Sequence, residues 1–155
     1  MKGFKTNSII KDNSLVISLS GVMNEDAKFE PIDLSKASEL VLNLSGITLI
    51  NSIGIRNWLK WSAGFPTDRK IKLTNVPKAM IDQANMLSNF FPKNSVFESF
   101  EVPYYCASCE KSHSVFYEIQ AANTAEQVKD SGSCPKCGSA TELDVLKESY
   151  LRFLK

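Results

Sequence analysis

All four cysteines of the chain fall into two C-x-x-C pairs, Cys106-Ala-Ser-Cys109 and Cys134-Pro-Lys-Cys137, and nothing else restricts the possible folds as much. A tight C-x-x-C turn delivers two thiolates to adjacent corners of a tetrahedron. Two such turns supply the four soft donors, at about 2.3 Å, that Zn2+ takes in closed structural sites. Gly138 follows the second pair, where the chain turns around a metal with φ above zero. Neither pair opens a helix in a βαβ pattern, which argues against a redox dithiol. Four thiolates also close the coordination sphere, which argues against a catalytic metal. The single histidine, His113, is left as an ordinary exposed residue beside a complete ligand set.

Around these pairs the pattern is that of a small ribbon. "HSVFYEIQ", between the pairs, alternates enough for a hairpin strand, and "ATELDVL" after Cys137 suits a third. A segment of this size cannot bury much core, so a structural Zn2+ on Cys106, Cys109, Cys134 and Cys137 supplies the missing stability. "KESYLRFLK" places Tyr150, Phe153 and Leu154 on one side of a helix, which docks onto the rest of the chain or onto a second copy.

Upstream of Pro103 the periodicity changes. Leu15, Ile17 and Leu19 alternate up to Gly21, where the strand is expected to stop, and Leu40, Leu42 and Leu44 repeat the pattern. Val41, between them, predicts a central strand covered on both faces. Ile71 and Leu73 alternate with Lys70, Lys72 and Thr74 in a half-exposed strand. From Pro77, in the first turn of a helix, Met80, Ala84, Leu87 and Phe91 recur at helical spacing until Pro92. "SVFESFEV", residues 95–102, predicts one more strand. The expected architecture is α/β: a mixed sheet covered by helices over residues 1–102, then a small β-rich zinc ribbon with a C-terminal helix over 103–155.

Charge narrows the partners. Residues 1–102 carry 12 Lys+Arg against 10 Asp+Glu, and residues 103–155 carry 6 against 7, so neither part offers the basic surface that nucleic acid selects. No apolar run reaches the roughly 18 residues of a membrane helix, and the N-terminus lacks a signal-peptide core. A cytoplasmic protein is expected, in a compartment where cysteines bind metal rather than pair.

The remaining stretch of interest is "LINSIGIRNWLKW", residues 49–61, where an apolar strand stops at Asn51-Ser52, passes Gly54 and restarts as a helix with two tryptophans. Local chemistry alone makes Ser52 an N-cap and Gly54 a point of close packing. On the helix, Ile55, Leu59 and Ser62, with Trp58 at the edge, form the expected core side. Trp61 falls off it as a candidate partner contact, and Arg56 and Lys60 form a solvated face. The layout of strands, then "LVLNLSGITLINSIGIRNWLKW", then strand and helix resembles a STAS domain, the sulphate transporter and anti-sigma factor antagonist family. Its hallmark is a strand followed by Asp-Ser-x-Gly at a helix start, and Asn51-Ser52-Ile53-Gly54 occupies that place with Asn51 instead of the acid.

The resemblance covers residues 1–102. It implies a non-enzymatic signalling protein that binds a partner, an anti-sigma or serine-kinase-like protein, through a surface at Asn51, Gly54 and Trp61, with Ser52 as the phosphorylation site. No phosphate-cradling glycine loop or nucleophile arrangement speaks for an enzyme. The alternative is a constitutive scaffold whose ribbon makes protein contacts, and a homodimer is compatible with either reading.

Overall fold

A computed structural model describes residues 3–120 and 122–154. The chain opens with an antiparallel hairpin, β1 (Lys5–Lys11) and β2 (Ser14–Met23). Its two-residue loop, Asp12 and Asn13, has φ of 51 and 65°, the positive values that short hairpin loops favour. Nothing in the sequence announces β1, because this edge strand is exposed along most of its length and carries no burial period. β2 also runs past Gly21, its expected end. Gly21 has a φ of 94° within an irregular register, and a Cβ there would lie 2.2 Å from the carbonyl oxygen of Gly3.

Three parallel strands follow, β3 (Glu39–Ile50), β4 (Ile71–Thr74) and β5 (Ser95–Phe97), giving a sheet of order β1-β2-β3-β4-β5. Parallel strands added in one direction, joined by crossovers of the usual hand, place every connection on the same face. Burial follows that rule: Leu15, Ile17, Leu19, Leu40, Leu42, Leu44, Ile71 and Leu73 are buried together. The other face carries Ser18, Asn43, Thr74 and Lys72, aligned by register, with half-buried Val16 and Val41 and exposed Ile9. The mixed sheet is as expected, but helices cover one face of it. Val41 faces the uncovered side, so β3 is central in order yet not covered on both faces.

Helix α1 (Ser52–Ala63) and helix α2 (Lys78–Met86) form the covered face with the crossover over residues 24–38. Trp58 is the centre of the aromatic core rather than its edge: it is 0% exposed, stacks on Phe90 at 5.9 Å and donates from Nε1 to the Phe90 carbonyl at 2.8 Å. Ile55 and Leu59, expected in the core, are half-buried at its margin. α2 begins one residue later than expected, with Pro77 as N-cap, and ends at Met86 rather than at Pro92. Continuing it would carry Phe90 and Phe91 around the helix. A turn instead puts Phe90 on Trp58 and Phe91 edge-on to Trp58 and Phe97.

The second sheet has the order β7-β6-β9-β8, built from β6 (Ser99–Cys106), β7 (Lys111–Glu118), β8 (Ser131–Ser133) and β9 (Ala140–Leu143). All its pairings are antiparallel. Position 102/103, the expected boundary, lies inside β6. The first residues of β6 are bonded to the chain just beyond β4 by an isolated parallel bridge: Val76 donates to the Ser99 carbonyl at 3.0 Å and accepts from Glu101 N at 2.9 Å.

Glu101 joins four segments. Its carboxylate accepts from Lys78 N at 2.6 Å, capping α2 where Pro77 has no side chain to do so, and also from the Ser114 hydroxyl of β7. Its carbonyl accepts from Tyr150 Oη at 2.6 Å. The C-terminal segment is shorter and tighter than predicted, one α-turn, α3 (Lys147–Tyr150), running into a 3-10 turn over Leu151–Leu154. Of the two expected docking modes it takes the intramolecular one. Tyr150 and Leu151 are buried, Phe153 stacks on Phe97 at 4.9 Å, and Asn85 of α2 donates to the Tyr150 carbonyl at 2.9 Å.

Candidate functional site

The first candidate lies where β3 delivers the chain to α1. Asn51, not Ser52, is the N-cap: it has extended backbone angles, and its Oδ1 accepts from Gly54 N at 2.8 Å. Its backbone N–H donates to the Met23 carbonyl at 3.1 Å, fixing the helix start against the end of β2. The amide also uses its second arm, donating from Nδ2 to Glu25 Oε2 at 2.9 Å. That donor holds the Glu25 carboxyl below its ordinary range, helped by the residue's own backbone. An aspartate at position 51 could cap the helix equally well but has no N–H for Glu25 and would repel it.

Ser52 thereby becomes the first helical residue. It is exposed, and the helix does not need its hydroxyl as a cap. Along the chain, Leu49 before it and Ile53 after it are large apolar residues open to solvent, at 52% and 41% exposure. Gly54, by contrast, is buried, and a Cβ there would lie 1.9 Å from the Met23 carbonyl oxygen. Its role is to let α1 start against β2. Trp61 is half-buried under the crossover, stacked on Phe29 at 4.8 Å, with Nε1 donating to the Glu30 carbonyl at 2.8 Å. Arg56 and Lys60 are exposed, as read from the sequence.

The second candidate is a metal centre. The sulfurs of Cys106, Cys109, Cys134 and Cys137 all lie within 4.8 Å of one another. A tetrahedron with 2.3 Å metal–sulfur bonds has edges of about 3.8 Å. Cys106 Sγ and Cys137 Sγ are 3.6 Å apart, Cys109 Sγ and Cys134 Sγ 3.8 Å, so the donor set fits a tetrahedral, thiophilic ion. The two turns are near copies. Gly138 takes φ of 74° after the second pair, as predicted, and Glu110 takes φ of 56° at the equivalent place after the first, at a steric cost glycine avoids.

Within the thiol cluster the protons are unevenly held. Hydrogen bonds from Ser139, and then from Cys109, lower Cys137 to about 6, while hydrogen bonds to Cys137, Cys134 and Cys106 push Cys109 up to about 12. Backbone donors at Cys137 and Lys136 lower Cys134. A divalent cation removes the conflict by taking all four as thiolates. His113 is not part of this cluster. It is half-buried rather than exposed, its ring stacked over Tyr104 at 6.1 Å.

Sequence reading thus brought together the four cysteines and the Asn51–Gly54 turn. It missed Glu25, which lies far from Asn51 along the chain, and Glu101, which looks like any charged residue of an alternating strand. No family model matches the chain, and neither does any curated protein. Among solved structures it is similar to the crystal structure of an anti-sigma factor antagonist from Mycobacterium paratuberculosis, with 15% identity and a TM-score of 0.42 over 58% of this chain and 84% of that one. A likeness of that size says nothing about activity or partners. Among the described residues, no helix is long and apolar enough to cross a membrane.

Proposed function

We propose that this chain is a non-enzymatic regulatory protein that binds a partner protein at the start of α1 and is switched by phosphorylation of Ser52. The observation that carries this reading is the transfer of the cap to Asn51, which leaves Ser52 exposed at the helix start, in a stretch of chain that also exposes Leu49 and Ile53. A hydroxyl open to solvent in such a stretch is one that a single modification can turn into a charge. Transfer of the γ-phosphoryl group of ATP to Ser52 Oγ, with release of ADP and the hydroxyl proton, adds nearly two negative charges. A helix N-terminus accommodates an anion, so the fold survives, whereas an apolar partner docked on Leu49 and Ile53 meets new charge and bulk.

Asn51 belongs to the proposed contact surface. Gly54 and Trp61 support it from inside, one by admitting β2, the other by holding the crossover. The four-cysteine site holds one structural Zn2+, and the ribbon fixes β6 and α3 against the sheet.

The test is phosphosite mapping and native intact mass of the protein from its own cells, with binding of the co-isolated partner to S52A and S52D. One zinc, a phosphorylated fraction at Ser52, retained binding by S52A and lost binding by S52D are expected. Equal binding by the two variants, with no phosphate in any growth state, replaces the switch with the constitutive scaffold.

A further inference from the structure

Strand β1 is the free edge of the first sheet. Among the described residues it pairs with β2 alone, so the backbone N–H and C=O groups along its outer side face no other strand. Thr6, Ser8 and Ile10 align with Leu19, Ile17 and Leu15, which puts all six on the covered face. The cover itself stops short of β1. Leu15 is 7% exposed, yet Ile10 beside it is 51% exposed, and Ser8 is open as well.

Between the crossover and this corner of the sheet lies a cavity of about 130 Å³. Leu15, Ile17, Ile32 and Trp61 give it apolar walls, and Thr6 and Ser8 line it from β1. Because Ser8 lines the cavity and is also exposed, the cavity is reached from the sheet edge. Its charge is of one sign. Glu30 and Asp33, both exposed, are lining residues, and among the described residues no lysine or arginine lines it. Asp33 Oδ1 accepts from Ser35 N at 2.9 Å, which holds the side chain in place and its carboxyl below the ordinary range. The Glu30 backbone is held by Trp61 Nε1.

Strand addition takes affinity from the main chain and specificity from pockets that receive alternate side chains. A free edge and a cavity beside it supply both. We propose that β1 accepts an extended peptide of a partner protein as a further strand, with a lysine or arginine of that peptide entering the cavity at Glu30 and Asp33. A side chain opposite Ser8 must cross about 4.8 Å to pass over β1, which lysine and arginine do and short side chains do not. An apolar cavity of about 150 Å³ holds benzene, so an aliphatic stem fits here while its charged head meets the carboxylates. The peptide residue two places along stands opposite Ile10 and is apolar. A second copy of β1 is a poor occupant. Paired antiparallel about Ser8 it sets Lys5 against Lys11 at both ends, and it offers the carboxylates a serine instead of a cation. The contact does not involve Ser52.

The experiment titrates the full-length, metal-loaded protein with end-blocked nine-residue peptides of alternating valine and threonine, in which the central valine is replaced by lysine, norleucine or glutamate. Calorimetry gives the affinity and amide hydrogen exchange the location. The lysine peptide is expected to bind about tenfold or more tighter than the norleucine peptide, with glutamate weakest. The outward amides of β1 gain about fivefold or more protection. In the double variant E30Q and D33N both side chains stay polar at exposed positions, and an amide oxygen at position 33 still accepts from Ser35 N. There the lysine and norleucine peptides are expected to bind within about twofold of each other. Equal binding of these two peptides to the natural chain overturns the proposal, as does the absence of binding at about 1 mM peptide or binding that leaves β1 unprotected. So does n-butylamine binding as tightly as the lysine peptide, which makes the cavity a small-amine pocket. Protection of β1 that disappears on dilution without peptide also overturns it, because the occupant is then a second copy.

Discussion

The two sheets are held together by different physics. In β1–β5 the inner positions of β2, β3 and β4 are fully buried beneath α1, α2 and the aromatic cluster around Trp58, so apolar burial carries that half. In the ribbon, β8 is exposed throughout and β7 nearly so, and two of the residues buried there, Cys106 and Cys134, belong to the four-thiol cluster. The apolar residues buried in the ribbon's strands, Phe100, Val102 and Tyr104, all come from β6 and join the core of the first sheet, so the outer strands β7 and β8 depend most on the proposed metal site. The contrast teaches where a perturbation should travel, because β6 belongs to both halves and Glu101 stands at the joint.

The largest effect is expected from removing the metal proposed for the four-thiol cluster. Structural Zn2+ contributes on the order of 10 kcal/mol of apparent folding free energy in small sites. A strong chelator, or C106S, is therefore expected to unfold the ribbon and lower the thermal midpoint of the whole chain by about 10 °C or more, since a chain of this size shifts about 2–4 °C per kcal/mol. Calorimetry checks it. A first-sheet transition left at its original temperature would show that the two halves are energetically separate.

Next comes G54A, which forces a Cβ into the Met23 carbonyl and is expected to cost about 1–3 kcal/mol or more in urea denaturation. E101A should fall close behind, at about 1.5–3 kcal/mol, because it uncaps α2 and releases the β7 contact at once. Hydrogen exchange at the Lys78 amide distinguishes it from a general loss of stability. If E101A leaves that amide protected, the joint lies elsewhere.

The smallest effects sharpen the picture at the helix start. N51A is expected to cost about 1 kcal/mol through the lost cap, and S52A no more than about 0.5 kcal/mol. Were Ser52 the cap, the order would be reversed, so the pair of denaturation curves settles which residue serves α1.

The metal centre was legible in the sequence because a C-x-x-C turn is a local object, and two of them determine four donors whatever lies between. The alternation of Leu15, Ile17 and Leu19 and of Leu40, Leu42 and Leu44 was equally local, as was the helix opened near Ser52. β1 was not, since an exposed edge strand leaves no mark of burial, and the early end of α2 at Met86 follows from Phe90 packing on Trp58, a contact made by another helix.

By itself, then, the sequence determined the elements whose signal lies within one or two turns of chain: the thiolate pairs, the buried strands, the turn into α1. The tertiary structure decided the rest. It gave the cap to Asn51, because the end of β2 receives the Asn51 amide and Glu25 its side chain, and so left Ser52 exposed. It covered one face of the sheet, since successive parallel strands of one hand send every crossover to the same side. And it made Glu101 a joint, because a carboxylate becomes a cap only when another segment brings an unpaired N–H to it.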